Sequence, residues 1–128
     1  MADVQLRQAP GFVVETRKVP ITHLNITATT MGAAETLFVV REMVTLEVKR
    51  LSVANVTGTA ATISLHTVPA GGAASLANAE LIAESIPANS AIDLTDLIGG
   101  LYDAGTAFVV YSGTAAALTV HGWGEEAL

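Results

Sequence analysis

Val44-Thr45-Leu46-Glu47-Val48-Lys49-Arg50-Leu51-Ser52-Val53 decides the fold class. Val44, Leu46 and Val48 alternate with Thr45, Glu47 and Lys49, so one face of the segment is apolar and the other polar. A period of two is that of a half-buried β-strand, whose side chains point alternately to opposite faces. After Lys49 the apolar residues move to odd positions, Leu51 and Val53. Such a flip has two physical origins: a β-bulge with one extra residue, or a strand passing from one sheet to another.

The same pattern continues on both sides. Downstream, Asn55-Val56-Thr57-Gly58-Thr59 supplies turn residues, and Ile63, Leu65 and Thr67 then alternate with Ser64, His66 and Val68. Pro69-Ala70-Gly71-Gly72 ends that strand, and Ala73 to Asn78 reads as a loop with one helical turn. Leu81 to Ile86, Ile92 with Leu94, Phe108 to Tyr111, and Leu118 to Trp123 follow as strands. Pro87-Ala88-Asn89-Ser90, Asp96 to Gly100 and Ser112-Gly113-Thr114 separate them. Upstream, Ile21 to Ile26 and Leu37 to Val40 are two more. Short strands with turns at regular spacing, and no long apolar stripe of helical period, predict an all-β fold. Strands this short need two packed sheets, so the expectation is an antiparallel, jelly-roll-like β-sandwich of about eight strands.

Residues 1–18 differ from the rest. Pro10-Gly11 punctuates them, and they mix charge with the apolar patch Phe12-Val13-Val14. They are read as an extended N-terminal arm that orders on a neighbour, with an edge strand or plain tail as the alternatives. Residues 19–128 form the sandwich domain. The candidate partner-binding residues are Arg7, Phe12, Val13, Val14, Arg17 and Lys18, the bases facing acidic protein surface and the apolar trio filling a groove.

Half of the residues are apolar (51%), but the charged fraction is 14%, against about 25% in ordinary soluble domains. A surface so poor in charge suits lasting contact with other proteins, or is inert Ala, Thr and Ser. The first 50 residues hold six bases and five acids, net +1; the rest hold seven acids and no base, net −7. Such charge repels phosphate, so no nucleic-acid partner is expected for the main body. No apolar run is long enough for a membrane span, and Met1 to Pro10 has no signal core, so the chain is expected to be made in the cytoplasm. There is no cysteine, which excludes a disulfide scaffold and thiolate chemistry.

Little in the sequence points to catalysis. His23, His66 and His121 stand alone, without HxH or HExxH spacing, so a metal site would need the fold to bring them together. By parity, His66 and His121 are expected to face solvent or a partner. Asp93, Asp96 and Asp103 sit beside turns, where Asp hydrogen-bonds local backbone more often than it joins a carboxylate pair. Gly71-Gly72 lacks the ending of a phosphate loop, and no serine lies in a GxSxG context. The chain is therefore expected to have no cofactor and no enzymatic activity. Trp123, between Gly122 and Gly124, is read as closing one end of the core, with an interface anchor as the alternative. Glu125-Glu126 is read as a solvated acidic tail, or as a partner for the basic arm of an adjacent copy.

Three stretches carry a resemblance. They are VANVTGTAATISL (Val53 to Leu65), TVPAGGAASLANAELIAESIPANSAIDL (Thr67 to Leu94) and LYDAGTAFVVYSGTAAALTVHGW (Leu101 to Trp123). An Asn-x-Thr turn before a strand, a Val-Pro-x-Gly-Gly loop, an Ile-Pro-Ala-Asn-Ser turn and an Ala-Gly turn follow in that order. The chain resembles small β-sandwich virion proteins encoded by tailed bacteriophages and prophages. The likeness covers the C-terminal half and more, and none of the first 50 residues. In the family pattern Asp follows the Ala-Gly turn; here Thr106 stands there, which weakens that turn as a binding site.

The resemblance implies a structural virion protein, located in the virion. Such proteins decorate or cement capsids, cap head–tail junctions, or build tails and fibres, commonly as trimers or higher rings. The expected function is capsid decoration as a cement protein, a homotrimer held by protein–protein contacts to the major capsid protein or other virion proteins. A head–tail connector, tail or fibre component is the alternative. A carbohydrate-binding attachment module is the alternative of another class, and Tyr102, Tyr111 and Trp123 are its only plausible aromatic platform.

Overall fold

The computed structural model of the chain describes residues 4–9 and 12–128, with side chains from Glu15 onward, Thr22 apart. It is a two-sheet antiparallel sandwich. The strands are β1 (Val4–Ala9), β2 (Phe12–Asn25), β3 (Glu35–Val39), β4 (Thr45–Asn55), β5 (Ala61–Val68), β6 (Ala79–Ile86), β7 (Ser90–Asp93), β8 (Leu101–Tyr102), β9 (Ala107–Ser112) and β10 (Leu118–Ala127). One sheet runs β1-β2-β10-β4-β7, with β8 also on β4; the other runs β3-β9-β5-β6. Without β1 and β8, the orders β2-β10-β4-β7 and β3-β9-β5-β6 are those of a jelly roll, in which most successive strands cross between sheets. The eight expected strands are all present, and β1 and β8 are additional.

β4 stays in one sheet throughout, so its parity flip is a bulge. Arg50 lies opposite Trp123, and Val48 lies opposite Gly124, which leaves Lys49 as the extra residue. The bulge lets Leu46, Val48, Leu51 and Val53 all face inward and all be fully buried. They meet Ile63, Leu65, Phe108 and Val110 from the facing sheet. Each such side chain contributes on the order of 1.5–3 kcal/mol by leaving water.

Two glycines let β10 approach β4 closely. A Cβ on Gly122 would collide with the Arg50 carbonyl, and one on Gly124 would lie 2.6 Å from the Glu47 carbonyl oxygen. The Gly-Trp-Gly sequence therefore serves backbone contact. Trp123 itself is not part of the core cluster. It lies partly buried on the outer face, with the Lys18 ammonium 4.5 Å from its ring centroid. Pairing with Arg50 and Pro20 puts it opposite in parity to the buried residues of β10, which is why it cannot close the core.

Two asparagines hold the turns on either side of β5 and β6. Asn55 is buried, and its side-chain amide donates to the carbonyls of Thr59 and Ile86 at 3.0 and 3.1 Å. Its oxygen accepts from the Thr57 amide and hydroxyl at 3.0 and 2.7 Å. The Asn-x-Thr triplet is thus a structural fastener with all four hydrogen-bonding positions used. Asn89, at the tip of the next turn, takes a left-handed backbone with φ 52°, which asparagine tolerates better than most residues.

Candidate functional site

β1 and β2 form an antiparallel hairpin with unbroken register, from Val4 opposite Arg17 to Ala9 opposite Phe12. β10 pairs with β2 only as far as Thr16. Beyond that point the described residues of β2 pair with β1 alone, apart from the Leu128 amide, which donates to the Glu15 carbonyl at 3.4 Å. The N-terminal segment is therefore an edge hairpin grown out of the larger sheet. No backbone break falls at residue 18, because β2 runs from Phe12 through Asn25.

The candidate partner-binding residues divide at this base. Arg7 pairs across the hairpin with Val14, Gln8 with Val13, and Ala9 with Phe12. The side chains of Arg7, Phe12, Val13 and Val14 lie outside the described residues. Arg17 and Lys18 have partners within the chain. Arg17 Nη2 donates to Glu126 Oε1 at 3.1 Å, and Lys18 covers Trp123.

Glu126 is the centre of this base. It is buried, its side chain 4% exposed, because it shares the inward parity of β10 with Val120. Arg41, two residues after β3, grips the same carboxylate with a fork: Nη2 to Oε1 at 3.1 Å and Nε to Oε2 at 3.3 Å. The expectation of a solvated acidic tail at Glu126 is corrected by that burial, and its basic partners come from its own chain. Forked guanidinium–carboxylate pairing fixes geometry as well as charge. One carboxylate thus ties β2, β10 and the β3–β4 connection together. A pocket of about 240 Å³ opens beside it, lined by Glu15, Thr16, Arg17, Arg41, Glu126 and Leu128. The same end of the sandwich exposes Val39, Met43 and Leu101, with Met43 87% exposed.

The other candidates disperse. Tyr102 packs edge-on against Phe108 at 4.7 Å, Tyr111 stacks on His66 at 5.8 Å, and Trp123 sits under Lys18. They occupy three different places and form no common platform. Asp93 accepts a hydrogen bond from the Ser52 hydroxyl at 2.7 Å and lies 3.9 Å from Arg50, rather than joining Asp96 or Asp103. His66 does not face solvent: it is fully buried. Its parity does put it on the outer side of the smaller sheet, but the 69–78 loop folds over that side. His66 Nδ1 lies 2.9 Å from the Ser75 carbonyl oxygen and 3.1 Å from Asn78 Oδ1. Both neighbours are acceptors, so Nδ1 carries the proton.

His23 and His121 do come together. They are exposed on the outer face of the larger sheet, with ring centroids 5.3 Å apart and planes at 83°. The cause is a bulge: Leu24 pairs with Val120 and Ile21 with Gly122, so two residues of β2 oppose His121 alone. Nothing local in the sequence signals this pair, or the meeting of Arg17, Arg41 and Glu126. Each depends on the register between strands far apart in the chain. Among the described residues, no three His, Asp or Glu side chains are grouped to hold a metal ion unaided. No family model, no curated protein and no solved structure matches the chain.

Proposed function

We propose that this chain is a structural protein of a virion or phage-like particle, a jelly-roll domain that decorates the capsid as a cement protein. The observation that carries the proposal is the N-terminal hairpin. Its described outer part is a two-stranded ribbon with open backbone edges. A two-stranded ribbon is marginal in water and gains stability by pairing or packing with a neighbour. Exposed Val39, Met43 and Leu101 at the same end offer apolar area for such a neighbour. The low charge and the resemblance to phage virion sandwiches support the same reading. The fold is compatible with it, since jelly rolls recur in capsid proteins, but they recur in lectins too.

In this reading the hairpin lies over an adjacent capsid subunit and the sandwich sits on the shell, as a homotrimer. Many weak contacts repeated by symmetry hold the lattice. The test is the ratio of this chain to the major capsid protein in purified particles, measured by quantitative mass spectrometry. Lattice-wide stoichiometry supports a cement protein. A ratio fitting one ring per particle replaces it with a head–tail connector or tail part, and absence from particles overturns the virion reading. Light scattering on the purified chain tests the trimer separately.

A further inference from the structure

We propose that His23 and His121 form a zinc(II) site on the outer face of the larger sheet. The inference does not depend on the virion reading. Both side chains are exposed, so their ring nitrogens are accessible to an ion from solution. Imidazole nitrogen is a preferred donor for zinc. With zinc–nitrogen bonds of about 2.0–2.1 Å at a tetrahedral angle, two coordinated imidazoles have centroids about 5.2 Å apart. The observed separation is 5.3 Å. The rings stand edge to face, and rotation about the side-chain bonds at this spacing turns one nitrogen of each toward a common ion.

The backbone favours this placement. The bulge in β2 opposite His121 interrupts the ladder where the two rings meet. Bulges re-aim side chains and are enriched beside functional sites. His121 stands on backbone paired with Ser52 of β4, and His23 lies in the bulge within the long strand β2, so little chain entropy is lost on binding. Asp93 is not a third ligand, because Ser52 and Arg50 already engage it in the neighbouring row. The ion therefore keeps two positions open, filled by water in the isolated protein. Such a site exchanges ligands readily, in contrast to a closed structural zinc site.

The experiment is a titration of the full chain, without a histidine tag, with zinc chloride at neutral pH. Heat is read by calorimetry and the histidine ring signals by NMR. The expected result is one saturable equivalent that shifts the ring signals of His23 and His121 and leaves buried His66 unchanged. His23→Ala and His121→Ala should each weaken binding by about tenfold or more, since each removes one of two protein ligands. Both positions are exposed, so the variants should keep the parent circular dichroism spectrum and melting temperature. No saturable binding, or equal binding by both variants, overturns the proposal.

Discussion

Arg17 and Glu126 stand 109 positions apart in sequence and 3.1 Å apart in space. Their contact closes the larger sheet where the N-terminal hairpin leaves it. Arg41 completes the group from the β3–β4 connection, so one buried carboxylate answers two half-exposed guanidinium groups. Burial is asymmetric, and the cost of substitution follows from that asymmetry.

Glu126→Gln removes the charge between two guanidinium groups that are about half exposed, although Arg17 Nε is itself buried, so it should cost about 1–2 kcal/mol. The double variant Arg17→Ala/Arg41→Ala strands a buried carboxylate and should cost more, about 3 kcal/mol. Urea denaturation of both variants checks the order. Equal costs would mean that the carboxylate rehydrates as easily as the guanidiniums.

Truncation should be sensitive to where the hairpin is cut. Removing residues 1–14 takes away β1 and the start of β2, which among the described residues pair with β2 and β1 rather than with β10, so the melting temperature should hardly change. Removing residues 1–18 also removes the partners of Glu125, Glu126 and Ala127 on β2, and with them Arg17. That longer truncation should melt lower by several degrees, about 2 kcal/mol or more at this size. Thermal melts of the two proteins decide it. If residues 1–14 hold the shell contact, the shorter truncation also loses particle binding.

Gly122→Ala should destabilise by at least about 3 kcal/mol or prevent accumulation of soluble protein, because the added methyl meets the Arg50 backbone rather than a movable side chain. Gly58→Ala is the control: a Cβ there meets nothing within 4 Å. Soluble yield and chemical denaturation of the pair measure the difference.

Glu35 supplies a pH dependence. Its carboxylate accepts hydrogen bonds from the Ala28 amide at 2.5 Å, and from the Thr27 hydroxyl and amide at 2.8 and 2.5 Å. The Ala28 amide first, then the Thr27 hydroxyl, and last the Thr27 amide hold its pKa below the ordinary 4.5, with burial opposing them. A carboxyl lowered on folding stabilises the fold fully above the ordinary value. That stabilisation is lost as pH falls through the lowered one. Glu35→Gln should therefore flatten the stability curve on the acid side and leave less difference from the parent at low pH. Denaturation midpoints across the acid range provide the measurement.

What the sequence disclosed was local. Strand parity at Val44 to Val53 revealed the strand and its flip, because side-chain alternation is a property of neighbouring residues, but only the β4–β10 register tells a bulge from a change of sheet. β8 escaped, since two residues show no period. His66 was misplaced because parity tells which side of a sheet a residue is on, while its cover comes from the separate 69–78 loop. Trp123 was misplaced because size suggested core where parity put it outside. The Arg17–Arg41–Glu126 group and the His23–His121 pair need the β2–β10 register, which no single stretch of sequence encodes.

The continuity of β2 has a mechanical meaning. Its first residues belong to the hairpin and its last ones to the sandwich, with no joint between them. A pull on the hairpin along the strand axis loads the β2–β10 hydrogen bonds together, in shear. Those bonds must then fail as a group, which resists force far better than opening one pair at a time. A tether of this kind passes tension straight into the body of the protein.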